Sequence, residues 1–246
     1  MTSRRLLRRV ALATLAVLIL PPAGYVAWDR WVDNFGTLEP GRVYRSGQMS
    51  AGTLAATIRG RKVRTVLNLR GPNPASAWYR AERAATTGAG ATQIDLSISS
   101  CEWMSRVQLR ALVRVLDGCG YPLLVHCQWG SERTGWASAV ATLLRPGATL
   151  DDARRQFSLG YLFVRVGDGK VMAEHLDQYA GWLGARGWSH TPARFRLWVG
   201  QGYRPGTPGR EQWPYDPYPL VVVTRPEAEV VPGGAVAGAP AKGVVR

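Results

Sequence analysis

Apolar positions along this chain follow two periods, and the switches between them lay out the expected elements. Four short runs read as strands: Arg42 to Tyr44, turning at Ser46-Gly47, then Val63 to Leu69, Gln93 to Ser99, and Leu123 to Val125. The run from Gln93 alternates strictly. Ile94, Leu96 and Ile98 lie on one face and Gln93, Asp95 and Ser97 on the other, the pattern of a strand with one buried side. Between these runs the spacing becomes helical. Leu54 to Arg59, Trp78 to Thr86 and Arg106 to Leu116 predict helices, the last carrying Val107, Leu109, Leu112, Val113 and Leu116. After Thr134 the residues Ala137, Val140, Ala141, Leu143 and Leu144 predict another. Thr149 is an expected N-cap ahead of Asp151 and Asp152, whose charges suit a helix start. Two more helices are expected over Val171 to Leu183 and, opening with a proline, over Pro192 to Gly200. Strands alternating with helices predict an α/β fold, a central and mostly parallel sheet flanked by helices.

The ends of the chain read differently. Arg4, Arg5, Arg8 and Arg9 precede a span without charge from Val10 through Trp28. Its length approaches that of a membrane-crossing helix, and the basic residues ahead of it predict export of the chain beyond the span. Pro21-Pro22 interrupts the span, so a signal-peptide core over Val10 to Leu20 is the alternative. Residues 1–30 are therefore expected to be an anchor or signal segment, with the main domain at 31–204 outside the cytoplasm. Asp29 to Glu39 reads as a linker in which Trp31 and Phe35 dock. From Tyr203 onward Pro and Gly are dense, giving a tail over 205–246 in which only Leu220 to Thr224 has strand character. Ala235 to Arg246 is expected to be disordered.

Composition narrows the picture slightly. A hydrophobic content of 46% suits one ordinary core. The net charge of +14 and pI near 10.5 fit an anionic partner. After residue 10 the arginines are dispersed, with no zinc-finger spacing and no ladder of basic and aromatic residues. Nucleic acid is not an expected partner, and no metal or other cofactor is expected.

One stretch carries the chemistry: His126-Cys127-Gln128-Trp129-Gly130-Ser131-Glu132-Arg133-Thr134-Gly135. It sits between an apolar strand and a helix. Backbone N–H groups of such a loop, with the positive end of the following helix, cradle a tetrahedral anion. Arg133 offers a planar fork for two phosphate oxygens. The same field favours ionisation of Cys127, and a thiolate beneath a bound phosphate is a nucleophile.

These residues resemble the His-Cys-x5-Arg-Thr signature of the cysteine-dependent protein tyrosine and dual-specificity phosphatases, small bacterial type. Gly41-Arg42-Val43-Tyr44-Arg45-Ser46-Gly47-Gln48 and Val63-Arg64-Thr65-Val66-Leu67-Asn68-Leu69-Arg70 extend the resemblance. A rhodanese loop also comes after a strand, but its usual Cys-to-Arg interval is shorter. The resemblance implies a phosphocysteine on Cys127, Arg133 holding the phosphoryl group, and Thr134 stabilising the departing thiolate. Gln128, Trp129, Gly130 and Ser131 would line the phosphate site. It implies hydrolysis of phosphate monoesters on a phosphorylated protein or small phosphoester. The alternatives are a phosphoinositide or phospholipid phosphatase, or a phosphate-binding module without turnover. Trp129 fits a wall for a phenyl ring, and the absence of an extra cation in the loop argues against a highly charged inositide.

Three carboxylates qualify as the leaving-group acid. Glu132, next to Arg133, comes first, then Glu102 on the expected loop, then Asp95 in the strand before it. Cys101 and Cys119 are left to pair with each other, to guard Cys127, or to remain as buried thiols.

Overall fold

The computed structural model describes residues 8, 14–25, 27, 33–207, 210–211 and 220–226. Its elements, in order, are a helical stretch α1 over 14–25, then β1 (Gly36–Glu39), β2 (Val43–Ser46), α2 (Ala51–Arg61), β3 (Thr65–Asn68), α3 (Ala77–Gly88) and β4 (Thr92–Leu96). They continue with α4 (Arg106–Gly118), β5 (Leu123–His126), α5 (Glu132–Leu143), α6 (Leu150–Arg154), α7 (Val171–Gly184) and α8 (Pro192–Leu197). A π-helical turn (Trp198–Gly202), a small hairpin of β6 (Gly206–Thr207) and β7 (Arg210–Glu211), and β8 (Val221–Thr224) complete the order.

Six strands form the main sheet in the order β1-β2-β5-β3-β4-β8. The four inner strands are parallel, and β1 and β8 close the edges antiparallel. The mostly parallel α/β sheet expected from the pattern is the architecture found. β1 lies within the expected linker, and β8 forms at the one stretch of the tail with strand character, Leu220 to Thr224, bringing the Pro/Gly-rich end back to pair with β4. Ala235 to Arg246 lies outside the described residues.

Local chemistry sets the helix ends. Ser50 accepts from Thr53 N–H at 3.1 Å and Lys62 closes α2 in the left-handed region, so α2 runs further than its apolar spacing indicated. Ser105 and Gln108 form a capping box at the start of α4.

Register puts alternate residues of neighbouring strands on common faces. Val43, Leu67, Val125, Ile94 and Leu96 join a core built with α4, α5, α7 and α8. Within it His175 is fully buried between Trp103 and Trp136, ring centroids 4.4 and 4.9 Å away. Its Nε2 accepts from Met104 N–H at 3.1 Å, and Nδ1 faces Val171 O at 2.7 Å. On the other face Tyr44, Val66 and Leu124 form a smaller cluster with Leu54 and Ile58 of α2. Toward the carboxyl ends of the strands that face turns polar: Ser46, His126, Asn68 and Asp95 stand in register across β2, β5, β3 and β4. All four are buried.

The membrane anchor expected near the N-terminus is corrected. Among the described residues no helix is long and apolar enough to cross a membrane. A catalytic domain held outside the cytoplasm by such an anchor is therefore not supported. Residues 10–13, 26 and 28 of the uncharged span lie outside the described residues. The described part meets the domain where the Tyr25 hydroxyl donates to Gly160 O at 3.1 Å.

Candidate active site

The loop from Cys127 to Ser131 leaves the carboxyl end of the central strand β5 and enters α5. Three successive carbonyls of this loop are held from outside. Gln128 O accepts from Gln48 N–H at 3.0 Å, Trp129 O from Asn34 Nδ2 at 2.8 Å, and Gly130 O from Arg45 Nη2 at 2.6 Å. A trans peptide points its N–H opposite to its carbonyl, so fixing the carbonyls outward turns the amides inward. One is seen there directly: Gly130 N–H donates to Cys127 Sγ at 3.3 Å. No side chain caps the start of α5, which leaves its first N–H groups for an anion.

Glycine is required at the bend. Gly130 has φ +75°, and a Cβ there would lie 2.8 Å from Gly47 N and 3.0 Å from Asn34 Nδ2. Gly47 has the matching constraint, since its Cβ would meet Gln128 O and Trp129 C at 3.2 Å.

Arg45 is the outer brace. Its guanidinium is fully buried, donates to Gly130 O, and also donates from Nη1 to Gln156 O and Oε1, both at 2.9 Å. It lies over the Tyr161 ring at 3.6 Å. Tyr161 O in turn accepts from Ser131 Oγ at 2.9 Å and Asn34 Nδ2 at 3.1 Å.

Cys127 is buried to 1% exposure. Burial alone would raise its pKa, but the Arg133 charge, the Thr134 hydroxyl and N–H, and Gly130 N–H together hold the thiol below its ordinary value. The Thr134 hydroxyl has one proton to give and sits between this sulfur and Ser46 O, the latter at 3.3 Å. Arg133 Nη1 donates to Ile98 O at 3.4 Å, while its Nε is buried without a hydrogen-bond partner. Trp129 is half exposed on the rim, beside the exposed Gln128.

The three carboxylates occupy different settings. Glu132 opens α5, and its Cγ packs so closely under Gly169 that a Cβ there would come within 2.9 Å. Glu102 is exposed on the loop between β4 and α4, the loop whose Ile98 O accepts from Arg133. Asp95 is fully buried and accepts from Tyr79 Oη at 2.6 Å, Asn68 Nδ2 at 2.8 Å and Gln93 Nε2 at 2.9 Å. Burial pushes its carboxyl up despite these donors.

Two charged groups outside the candidates drawn from sequence border the site. Arg70, at the end of β3, stacks over Trp78 at 3.6 Å and donates to Gln48 Oε1 at 2.9 Å. Burial lowers its pKa first, and the neighbouring Arg133 charge lowers it further. Glu82 of α3, 2% exposed, faces His126 with Oε1 3.4 Å from Nε2. Arg70 ends a stretch singled out by resemblance, so its place was signalled; nothing in the helical spacing of α3 marks Glu82.

The cysteines are all free. Cys101 comes after β4 at the carboxyl end of the strands and Cys119 precedes β5 at the other, so pairing these two would require crossing the sheet. Among the described residues no group of three or more His, Cys, Asp or Glu has the arrangement to hold a metal.

A nucleophile-type thiol under inward amides, with an arginine beside it, at the end of a parallel strand, defines a cysteine-based phosphatase. The family model of the tyrosine phosphatase family matches residues 32–174, and the chain belongs to that family. No curated protein matches it in sequence. Similar solved structures include the core catalytic domain of the PP-IP phosphatase SIW14 from S. cerevisiae. That domain is 20% identical, with 63% of this chain and 92% of that one covered and a TM-score of 0.44. Another is P. aeruginosa TpbA, 20% identical over 59% of this chain and 84% of that one, with a TM-score of 0.43.

Proposed function

We propose that the protein is a protein tyrosine or dual-specificity phosphatase working through a phosphocysteine on Cys127. The observation that carries this is the ionisation-prone sulfur of Cys127 under Gly130 N–H, with Arg133 next to it. The Cys127 thiolate attacks phosphorus, and the bond to the leaving oxygen breaks as Glu132 gives that oxygen a proton. Water then attacks the phosphocysteine, Glu132 takes a proton back, inorganic phosphate leaves, and the thiolate returns. Arg133 binds two of the non-bridging oxygens through both steps. The Thr134 hydroxyl stabilises the thiolate as leaving group. Trp129, half exposed on the rim, supplies a face for the phenol ring of phosphotyrosine.

Cys127→Ser is expected to abolish turnover of an aryl phosphate while retaining inhibition by inorganic phosphate; turnover in that variant would end the reading. Glu132→Gln is expected to slow an unactivated phosphoester by about 10² to 10⁴ and a nitrophenyl ester far less. The same leaving-group dependence in Glu102→Gln or Asp95→Asn, and not in Glu132→Gln, would move the acid elsewhere.

A second reading has its own support. The loop itself lacks an extra cation, yet Arg70 brings one to its border, oriented by Trp78 and Gln48. A guanidinium there favours a phosphoester with a second anionic group, as in a phosphoinositide headgroup. Arg70→Met should then depress hydrolysis of an inositol bisphosphate at least tenfold more than that of phenyl phosphate; equal effects on both would leave phosphotyrosine as the substrate.

A further inference from the structure

Behind the nucleophile lies a buried set of polar groups that the phosphoryl chemistry above does not use. His126 precedes Cys127 and is 2% exposed. Both ring nitrogens have an oxygen nearby. Nδ1 lies 3.2 Å from Cys127 O, and Nε2 lies 3.4 Å from Glu82 Oε1, within ion-pair distance but outside hydrogen-bond alignment. A neutral imidazole has one donor and one acceptor nitrogen, so in this pocket its lone pair would be set against an oxygen. Only the imidazolium, with a proton on each nitrogen, suits both neighbours.

The carboxylate is built to stay ionised. Gln93 Nε2 donates to Glu82 Oε1 at 3.3 Å, and Gln48 Nε2 donates to Oε2. Gln48 is itself oriented by Arg70, which donates to its Oε1 at 2.9 Å. The other titratable and charged groups of this polar set are Tyr79 from α3, bonded to Asp95 of β4, Arg70 just beyond β3, bonded to Gln48, and Cys127 with Arg133 from the loop and α5. Tyr79 donates to Asp95, and Gln93 Nε2 divides its two protons between Asp95 and Glu82; the Asp95 carboxyl is pushed toward its protonated form by burial and by the Glu82 charge. That leaves Glu82 as the anion opposite His126. Burial resists both charges, yet their mutual attraction raises the imidazole and lowers the carboxyl.

We infer that Glu82 is a positioning residue that keeps His126 as an imidazolium behind Cys127, so that positive charge reaches the thiolate from the β5 side as well as from Arg133. The inference rests on Cys127 being the nucleophile. It explains why α3 carries a buried carboxylate over the carboxyl ends of the strands, and it makes Gln48 and Gln93 the groups that aim that carboxylate.

The chain has three histidines, and burial lowers the pKa of both His175 and His190. Long-range proton–nitrogen spectra of the full-length, 15N-labelled protein at pH 7.5 should therefore contain one doubly protonated ring, assigned by its loss in His126→Asn. A neutral His126 at that pH overturns the proposal, whatever the enzyme turns over. In folded Glu82→Gln the pH profile of Cys127 alkylation by iodoacetamide should move up by about one unit, a tenfold slowing on the acid side of both midpoints. The acid limb of kcat/KM should move up in pH equally, with the phosphate inhibition constant changed less than roughly threefold. An unmoved limb and unmoved alkylation in a folded variant would make Glu82 merely structural. If Glu82→Gln does not fold, the wild-type spectra decide the question alone. Absence of turnover with phosphate-protected, rapid alkylation would count against the catalytic reading and leave this one standing.

Discussion

Two histidines are fully buried in this protein, one on each face of the same sheet, and their surroundings drive them in opposite directions. His175 stands among Trp103, Trp136 and Tyr203, with a backbone amide on one nitrogen and a carbonyl at the other. Burial depresses it to about 4. His126 has a carboxylate opposite, and despite equal burial its imidazole is raised. The neutral ring is packing material with two directional bonds. The charged one lies one residue from the reacting sulfur. Burial by itself thus says little about a histidine's role; the partners on its two nitrogens say most of it.

The faces meet at the phosphate loop, and the largest predicted effect tests the contribution of the His175 side there. Arg45 comes from that face and holds Gly130 O. Arg45→Met should lower kcat/KM by at least about 10², the usual consequence of a reacting geometry displaced by about an ångström. It should also destabilise the fold, because the carbonyls of Gly130 and Gln156 lose a buried donor. Arg45→Lys should not restore the rate, since one ammonium cannot reproduce a fork reaching Gly130 and Gln156 together. Steady-state kinetics with urea unfolding of both variants checks this. Wild-type kinetics in Arg45→Met would mean that the loop keeps its shape without a brace from this face.

The same two faces differ in how legible they are in the sequence. The apolar side is set by spacing: the branched runs and the helical repeats of α4, α5 and α7 name most of its core. The polar side is not. Alternation in β4 puts Gln93 and Asp95 opposite Ile94 and Leu96, and such a pattern ordinarily reads as solvent against core. Here α3 covers the polar residues, and Tyr79, Asn68 and Gln93 all donate to Asp95. Residues that pair only across elements, as Glu82 does with His126, leave no periodic trace. Cys127 to Thr134 was legible because its spacing is local. β1 and β8 were partly hidden, since an edge strand pairs on one side only and can be as short as four residues. The uncharged N-terminal span shows the opposite failing: it reads as an anchor by hydropathy, yet among the described residues no helix is long and apolar enough to cross a membrane.

A smaller effect should separate the histidines by pH. The folded pKa of His175 lies below its ordinary value of 6.5, at about 4. The unfolded chain therefore takes up more protons, and stability is lost as pH falls from 6.5 toward 4. For a ring this buried the loss approaches about 3 kcal/mol. Urea midpoints from pH 7 to 4.5 should fall accordingly, and His175→Phe should remove that slope. The variant should also be less stable at pH 7 by about 1–3 kcal/mol, the cost of leaving Met104 N–H without its acceptor. Equal slopes in the two proteins would place the acid sensitivity elsewhere.

The smallest effect is the mirror of this one. His126 has its folded pKa raised, so its contribution is fully present below 6.5 and is lost as pH rises through the folded value. Glu82, with its pKa lowered, contributes above its ordinary 4.5 and loses that contribution only as pH falls through its folded value. Between those limits the pair is intact. Above them His126 gives up its proton and leaves Glu82 buried opposite a neutral ring. The expected sign is a urea midpoint that declines from pH 7 to 9.5, with amide protection lost first in β5 and α3 while α7 around His175 holds. At low pH the order reverses, and α7 with the Met104 loop should open before α3. Hydrogen exchange corrected for intrinsic rates, read at both ends of the range, measures the two orders. If α3 and α7 lose protection together at both extremes, the two faces form one electrostatic unit and the contrast between the histidines has no consequence for stability.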